Sequence, residues 1–213
     1  QYTTRQYIMY KWFDELTRVP KPNHEKEDYH HYGLYEVEIL NSIFRNHNVQ
    51  TVLSLGGMSN LDFFLAQYDN DVKSATNFDE ADTWRGFNLE DKHQEYIQRF
   101  NYNGEYIFTK RSIDRYDVVD SKYDVVFCNI DTLKGQMKVM PEIFVKMWSR
   151  MGLIETTREK MTLEYEKFFS NVLVTTNMTV FSNKEIEYEN NLVETSTKLE
   201  KKRSVVYQRM NLP

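Results

Sequence analysis

The most constraining feature of this chain is a short apolar strand that ends in two glycines and gives way to helical spacing. Val49 to Leu55 (VQTVLSL) is β-branched and apolar, and Gly56-Gly57 stops it. Leu61, Phe64, Leu65 and Tyr68 then recur at the steps of a helix. The rhythm repeats. Val72 to Phe78 reads as a weaker strand. Leu89, His93, Tyr96, Ile97 and Phe100 form a helical face with Asn88 as its N-cap, and Tyr106 to Phe108 is a third strand. Tyr123 to Ile130 (YDVVFCNI) is the strongest strand, apolar enough for burial on both faces. Pro141 suits the first turn of a helix carrying Ile143, Phe144 and Met147. Gly152 to Ile154 opens a short strand, and Met161, Tyr165 and Phe168 mark another helix. Val172 to Val174, Thr179 to Phe181 and Ser204 to Tyr207 are extended. Such alternation predicts an α/β fold: a mostly parallel sheet with helices on both faces, closed by an antiparallel C-terminal hairpin on one edge.

Two helices precede the alternation. Ile8, Trp12, Leu16 and Val19 lie on the first, which Pro20 and Pro22 end. An acidic, histidine-containing loop from Asn23 to His31 follows. Val37, Leu40 and Phe44, with Ile39 and Ile43 beside them, mark the second helix. The expected organisation is a segment 1–31, serving as a lid, as a docking face for a protein partner or as packing against the sheet, and a main domain 32–213. The sequence opens on Gln1 rather than Met, so a native start upstream is expected.

Charge and cysteine content narrow the function classes. With 27 basic and 32 acidic residues the net charge is −5, which argues against retention on nucleic acid by global positive charge. Lys198, Lys201, Lys202 and Arg203 form a local basic run, readable as a phosphate contact or as a solvated hairpin connection. The one cysteine, Cys128, leaves no internal disulfide and no cysteine zinc cage. A reducing, cytoplasmic setting is expected, with Cys128 as a buried small hydrophobe. No apolar run approaches the roughly 20 residues of a membrane helix. His24, His30 and His31 stand among Glu25, Glu27 and Asp28 and read as a solvated loop; no metal site is predicted.

In an open α/β sheet, ligands bind beyond the carboxyl ends of the strands. The turn after the first strand, Val52 to Leu65 (VLSLGGMSNLDFFL), is therefore where chemistry is expected. Gly56 and Gly57 permit close approach of backbone to ligand, or make a tight strand-to-helix turn. Ser59 or Asn60 can cap the following helix and turn its amides toward a carboxylate or phosphate. Two nucleotide motifs are excluded. Met58 and Leu61 stand where a dinucleotide fingerprint needs glycine, and no Gly-Lys-Ser/Thr follows for a P-loop.

The element order, with VLSLGG at the first strand and YDVVFCNID at the fourth, resembles the class I S-adenosylmethionine-dependent methyltransferases from about Tyr32 to the C-terminus. The resemblance implies a seven-stranded Rossmann-like sheet, with the cofactor across the ends of the first, second and fourth strands. It places the glycine turn on Gly56, Gly57 and Met58, with Leu55 and Ser59 flanking the cofactor. A later turn glycine falls on Asn60, and the acidic residue before the turn on Ser54. The ribose-binding carboxylate maps to Asp79, whose other reading is a loop acid or helix cap. The adenine contact falls near Ser112, or on Asp114 if the loop is shifted. Asn129 and Asp131 stand at the end of the fourth strand, as cofactor contact and as the groups facing the methyl acceptor; Asp124 reads as a strand-start turn residue. No Pro-Pro-aromatic run follows Asn129, and no Lys-Asp-Lys-Glu set is placed, so the acceptor class stays open. Because Ser54, Met58 and Ser112 depart from the family pattern, a methyltransferase-like domain without catalysis, acting as a binding or structural subunit, is the second reading.

Overall fold

The computed structural model describes residues 34–84, 87–110, 123–129, 148–156, 169–175, 178–189 and 207–209. Its elements are α1 (Leu34–Asn46), β1 (Thr51–Leu55), α2 (Leu61–Gln67), β2 (Ser74–Asp79), β3 (Thr83–Trp84), β4 (Phe87–Asn88), α3 (Leu89–Arg99) and β5 (Glu105–Lys110). Then come β6 (Tyr123–Asn129), β7 (Trp148–Thr156), β8 (Asn171–Val174), β9 (Thr179–Ser182) and β10 (Tyr207–Arg209).

One sheet takes eight of these strands in the order β10-β8-β9-β7-β6-β1-β2-β5. The pairings β5–β2, β2–β1, β1–β6 and β6–β7 are parallel. The pairings β7–β9, β9–β8 and β8–β10 are antiparallel. The seven-stranded expectation is thus corrected to eight. β8 and β9 make the expected closing hairpin, and β10 adds an outer strand. β10 overlaps the extended run read from Ser204 only at Tyr207. β3 and β4 form a separate two-stranded hairpin that hydrophobic periodicity did not announce, since two residues per strand carry no period.

The central strands are buried on both faces. Val52 and Val125 share one face, Leu53 and Val126 the other, and all four are 0% exposed. On the first face α1 packs on α2 and α2 on α3. Phe64 of α2 stacks on Phe100, the C-cap of α3 (6.0 Å), and on Tyr106 of β5 (5.4 Å). The helices expected after Pro141 and around Met161, and the segment 1–31, lie outside the described residues.

Local chemistry fixes the helix ends. The Asn88 side chain accepts the Asp91 N–H at 3.1 Å, the cap expected from the sequence. Asn41, fully buried on α1, donates to the carbonyls of Ala66 (3.0 Å) and Tyr68 (2.8 Å) and so closes the C-terminal end of α2. Thr175, just past β8, donates to Glu36 in the first turn of α1. Segment 186–189 then runs along α1: Glu187 N–H donates to His47 Nε2 (2.9 Å) and Glu189 N–H to Ser42 Oγ (2.8 Å). β7 begins four residues earlier than the run from Gly152 suggests. Between Trp148 and Gly152 its register with β6 shifts, a bulge that absorbs residues with no apolar alternation.

Candidate functional site

The chain leaves β1 with β2 on one side and β6 on the other, so the carboxyl edge between them is the topological switch point of the sheet. Leu55 pairs with Phe78 of β2 and with Cys128 of β6. The next residues along these three chains are Gly56, Asp79 and Asn129. Three of the sequence candidates thus come to one row at the switch point. Leu55 itself is buried core, 1% exposed.

The turn that follows is left-handed at alternate residues: Gly56 (φ 63°), Met58 (φ 52°) and Asn60 (φ 57°). Only the first is glycine. Gly57 sits in a tight place for another reason: a Cβ there would lie 3.0 Å from Asn60 Oδ1 and Asn77 Oδ1 and 3.1 Å from Ser54 Cβ, so these side chains would have to give. The Gly56 N–H donates to the Phe78 carbonyl at 2.8 Å and locks the turn onto β2.

Left-handed geometry at Met58 costs on the order of 1–2 kcal/mol. Bonds at both ends of the residue hold it. Its N–H donates to Asp79 Oδ2 at 2.9 Å. Its carbonyl accepts from His93 Nε2 at 2.7 Å and from Asn77 Nδ2 at 3.4 Å. Since a carbonyl can only accept, His93 carries its proton on Nε2. Burial pushes this imidazole down to about 4, against the bond to Met58, so the ring is neutral at pH 7.

Asp79 ends β2 at 5% exposure. Its Oδ1 accepts the Ala81 N–H at 3.0 Å while Oδ2 takes Met58. Burial raises its carboxyl above the ordinary range, as does the charge of Glu80, and backbone bonds from Ala81, Met58 and Glu80 pull it back. The structure shows the loop-acid reading: the carboxyl ties the turn after β1 and the chain after β2 through backbone bonds.

Asn60 keeps the turn geometry anticipated for it but does not cap α2 with its side chain. Its Nδ2 donates instead to the Tyr106 hydroxyl at 3.0 Å. Ser59 is buried and hydrogen-bonds the Tyr96 hydroxyl. The first turn of α2 holds Asp62, whose carboxyl is pushed up to about 7 by burial and by neighbouring Glu36.

Ser54 and Asn77 are register partners on β1 and β2, 1% and 0% exposed. Ser54 Oγ, Asn77 Oδ1 and His93 Nδ1 are buried and have no hydrogen-bond partner among the described residues. Asp124 proves structural: its Oδ2 accepts the N–H groups of Gln50 (2.8 Å) and Thr51 (3.2 Å) at the opposite end of the strands. Ser112, Asp114 and Asp131 lie outside the described residues, as do Lys198, Lys201, Lys202 and Arg203; of Asn129 only the backbone position is described. Among the described residues no group of three or more His, Cys, Asp or Glu side chains could hold a metal ion. Nor is any helix there long and apolar enough to cross a membrane.

Asn77, His93 and Tyr106 were not sequence candidates. The available signal was faint: a histidine on the apolar face of the Leu89–Phe100 helix and an asparagine inside an extended run.

No protein-family model and no curated protein matches the sequence. Solved structures do match the fold. An O-methyltransferase from Bacillus cereus, solved in complex with S-adenosylhomocysteine, aligns with a TM-score of 0.55 over 85% of this chain and 92% of its own, at 10% identity. A candidate O-methyltransferase from Klebsiella pneumoniae gives 0.56 over 83% and 90%, at 8% identity. Spermidine synthase from Thermotoga maritima gives 0.51 over 79% and 73%, at 14% identity. The chain has the Rossmann-like fold of the class I methyltransferases.

Proposed function

We propose that the chain binds S-adenosylmethionine at the carboxyl edge of β1, β2 and β6 and transfers its methyl group to an acceptor. One observation carries this reading: residues 56, 58 and 60 are all left-handed although only one of them is glycine, and the strained one is bonded to the buried acid at the end of β2. Backbone that leaves the ordinary regions without glycine to permit it marks a turn kept for a purpose.

In this reading the backbone of Leu55, Gly56 and Gly57 lies against the ligand, with Ser59 beyond. Asp79 accepts from the ribose diol through the lone pairs its backbone bonds leave free. Ser112 and Asn129 contact the rest of the cofactor, and Asp131, with Asn129, faces the acceptor, by the resemblance alone. The bound cofactor supplies an electrophilic methyl on a sulfonium, and the chain's own contribution is mainly to align donor and acceptor. The ligand of the Bacillus cereus structure supports the cofactor class. The acceptor is a nucleophile whose class the described residues leave open.

The test is calorimetric titration of the full chain with S-adenosylmethionine and S-adenosylhomocysteine. Micromolar binding that is lost on Asp79→Ala is expected. No binding at millimolar ligand would overturn the proposal and leave the domain as a non-catalytic binding or structural subunit.

A further inference from the structure

We infer that His93 is the positioning residue of the turn after β1, holding Met58 left-handed so that Asp79 and the Gly56–Met58 backbone keep the arrangement a nucleoside ligand needs; this rests on the cofactor reading above. The imidazole touches no reacting atom. It acts through the carbonyl of Met58, at 2.7 Å.

Three observations support the assignment. First, Met58 has no intrinsic reason to stay at φ 52°; it is neither Gly nor Asn, and only those visit this region readily. Letting it return to negative φ would reorient both flanking peptides. The Met58 N–H would leave Asp79 Oδ2, and the carboxylate would lose its tie to the turn after β1. Second, the donor stands on a rigid element. α3 is capped by Asn88, and Leu89, His93 and Tyr96 are its buried residues. Tyr106 (5.1 Å) and Phe108 (5.0 Å) of β5 fix the plane of the ring. A group held by packing on a helix positions a loop better than a loop can hold itself.

Third, the histidine is expensive where it stands. It is 1% exposed, and its Nδ1 is buried without a partner among the described residues. An unsatisfied buried acceptor costs about 1–3 kcal/mol. A leucine would continue the apolar face of α3 with no such cost, and the bond to Met58 is what the imidazole provides in exchange. Asn77 reaches the same carbonyl only at 3.4 Å.

The experiment compares the full-length wild-type chain with H93Q, H93N and H93L. Glutamine places an amide N–H near the position of Nε2. Asparagine is equally polar but too short to reach the carbonyl, and leucine removes the donor. Two quantities are measured: hydrogen exchange at the Met58 amide without ligand, and calorimetric affinity for S-adenosylhomocysteine. Loss of one hydrogen bond worth about 1.4 kcal/mol corresponds to about tenfold. H93N and H93L are expected to speed Met58 exchange about tenfold relative to Leu53 and to weaken the ligand about tenfold. H93Q is expected to stay within about threefold of wild type on both. Wild-type behaviour of H93N, or failure of H93Q alongside it, overturns the assignment; these two variants decide even if H93L does not fold. If wild type binds no ligand, the cofactor reading fails, and the exchange rates alone decide whether His93 holds the turn.

Discussion

Asp124 and Asp79 sit at opposite ends of the parallel strands, and each accepts backbone N–H groups from the chain next to β1. At the amino end, Asp124 Oδ2 takes Gln50 and Thr51, and Thr51 Oγ1 in turn accepts the Asp124 N–H at 3.0 Å. Neither residue is left-handed, and the arrangement is a reciprocal staple between β1 and β6. At the carboxyl end, Asp79 divides its oxygens between Ala81 and the strained Met58. Around it lie Ser54 Oγ, Asn77 Oδ1 and His93 Nδ1, buried with no partner among the described residues. The same carboxylate chemistry closes one end of the sheet and leaves the other strained and under-satisfied. Among the described residues Asn48, Asp69 and Asn101 are left-handed too, and Thr179 Oγ1 is buried without a partner; at the switch point strain and unsatisfied polar atoms meet on one turn, which marks where a ligand belongs.

The largest expected effect tests the amino end. Asp124→Ala strips the acceptor from two strand-start N–H groups beside a residue only 7% exposed. At about 1–3 kcal/mol for each donor left unsatisfied, the loss is about 4 kcal/mol. Urea unfolding should show it as a lower midpoint. Affinity for S-adenosylhomocysteine, measured where the variant is still folded, should not move. A variant as stable as wild type but weaker in ligand binding would invert the roles given to the two ends.

Next in size is the acid sensitivity of His93. Its imidazole is held down at about 4 by burial, against 6.5 in an unfolded chain. Its contribution is therefore full above pH 6.5. It is lost as pH falls toward 4, because the unfolded state takes up the proton first. Asp62, raised to about 7, acts in the opposite sense through the same window, as does the raised carboxyl of Asp79. The difference between wild type and H93Q isolates the imidazole. Wild type should lose about 2–3 kcal/mol relative to H93Q between pH 7 and pH 4.5. Parallel stability curves for the two proteins would show that His93 is not buried as described.

What the sequence makes legible follows the range of each interaction. The Asn88 cap was readable because its partner, Asp91, lies three residues away. β6 was readable because burial on both faces imposes one uninterrupted apolar run. The glycine turn was legible from the strand it ends, Asp79 through the likeness to a known family, and the structure bonds the one to the other. The start of β7 was missed because a bulge breaks the alternation that announces a strand. The family count of seven strands could not foresee β10. His93 shows the limit most clearly. Periodicity says that it faces inward, but not that it meets a carbonyl 35 positions earlier in the chain. A side-chain cap on α2 was expected of Ser59 or Asn60; the Asn60 amide goes instead to Tyr106, 46 positions away.

The smallest effect carries the sharpest sign. In ordinary backbone, glycine is less stable than alanine by about 0.5–1 kcal/mol, because its unfolded chain has more freedom to lose. Gln50 is not left-handed, so Gln50→Gly should be less stable than Gln50→Ala by that amount. At Met58 the order should reverse. Both substitutions remove the thioether, so their difference reports the backbone alone. Alanine retains the Cβ that makes φ 52° unfavourable, and glycine does not. With relief of about 1–2 kcal/mol set against the entropy of glycine, Met58→Gly should exceed Met58→Ala by about 0.5–1 kcal/mol. Paired urea titrations at both positions measure this. The same order at both sites would mean that the turn carries no strain in solution. It would also remove the reason to hold Met58 at both ends, and with it the contrast between the two edges of the sheet.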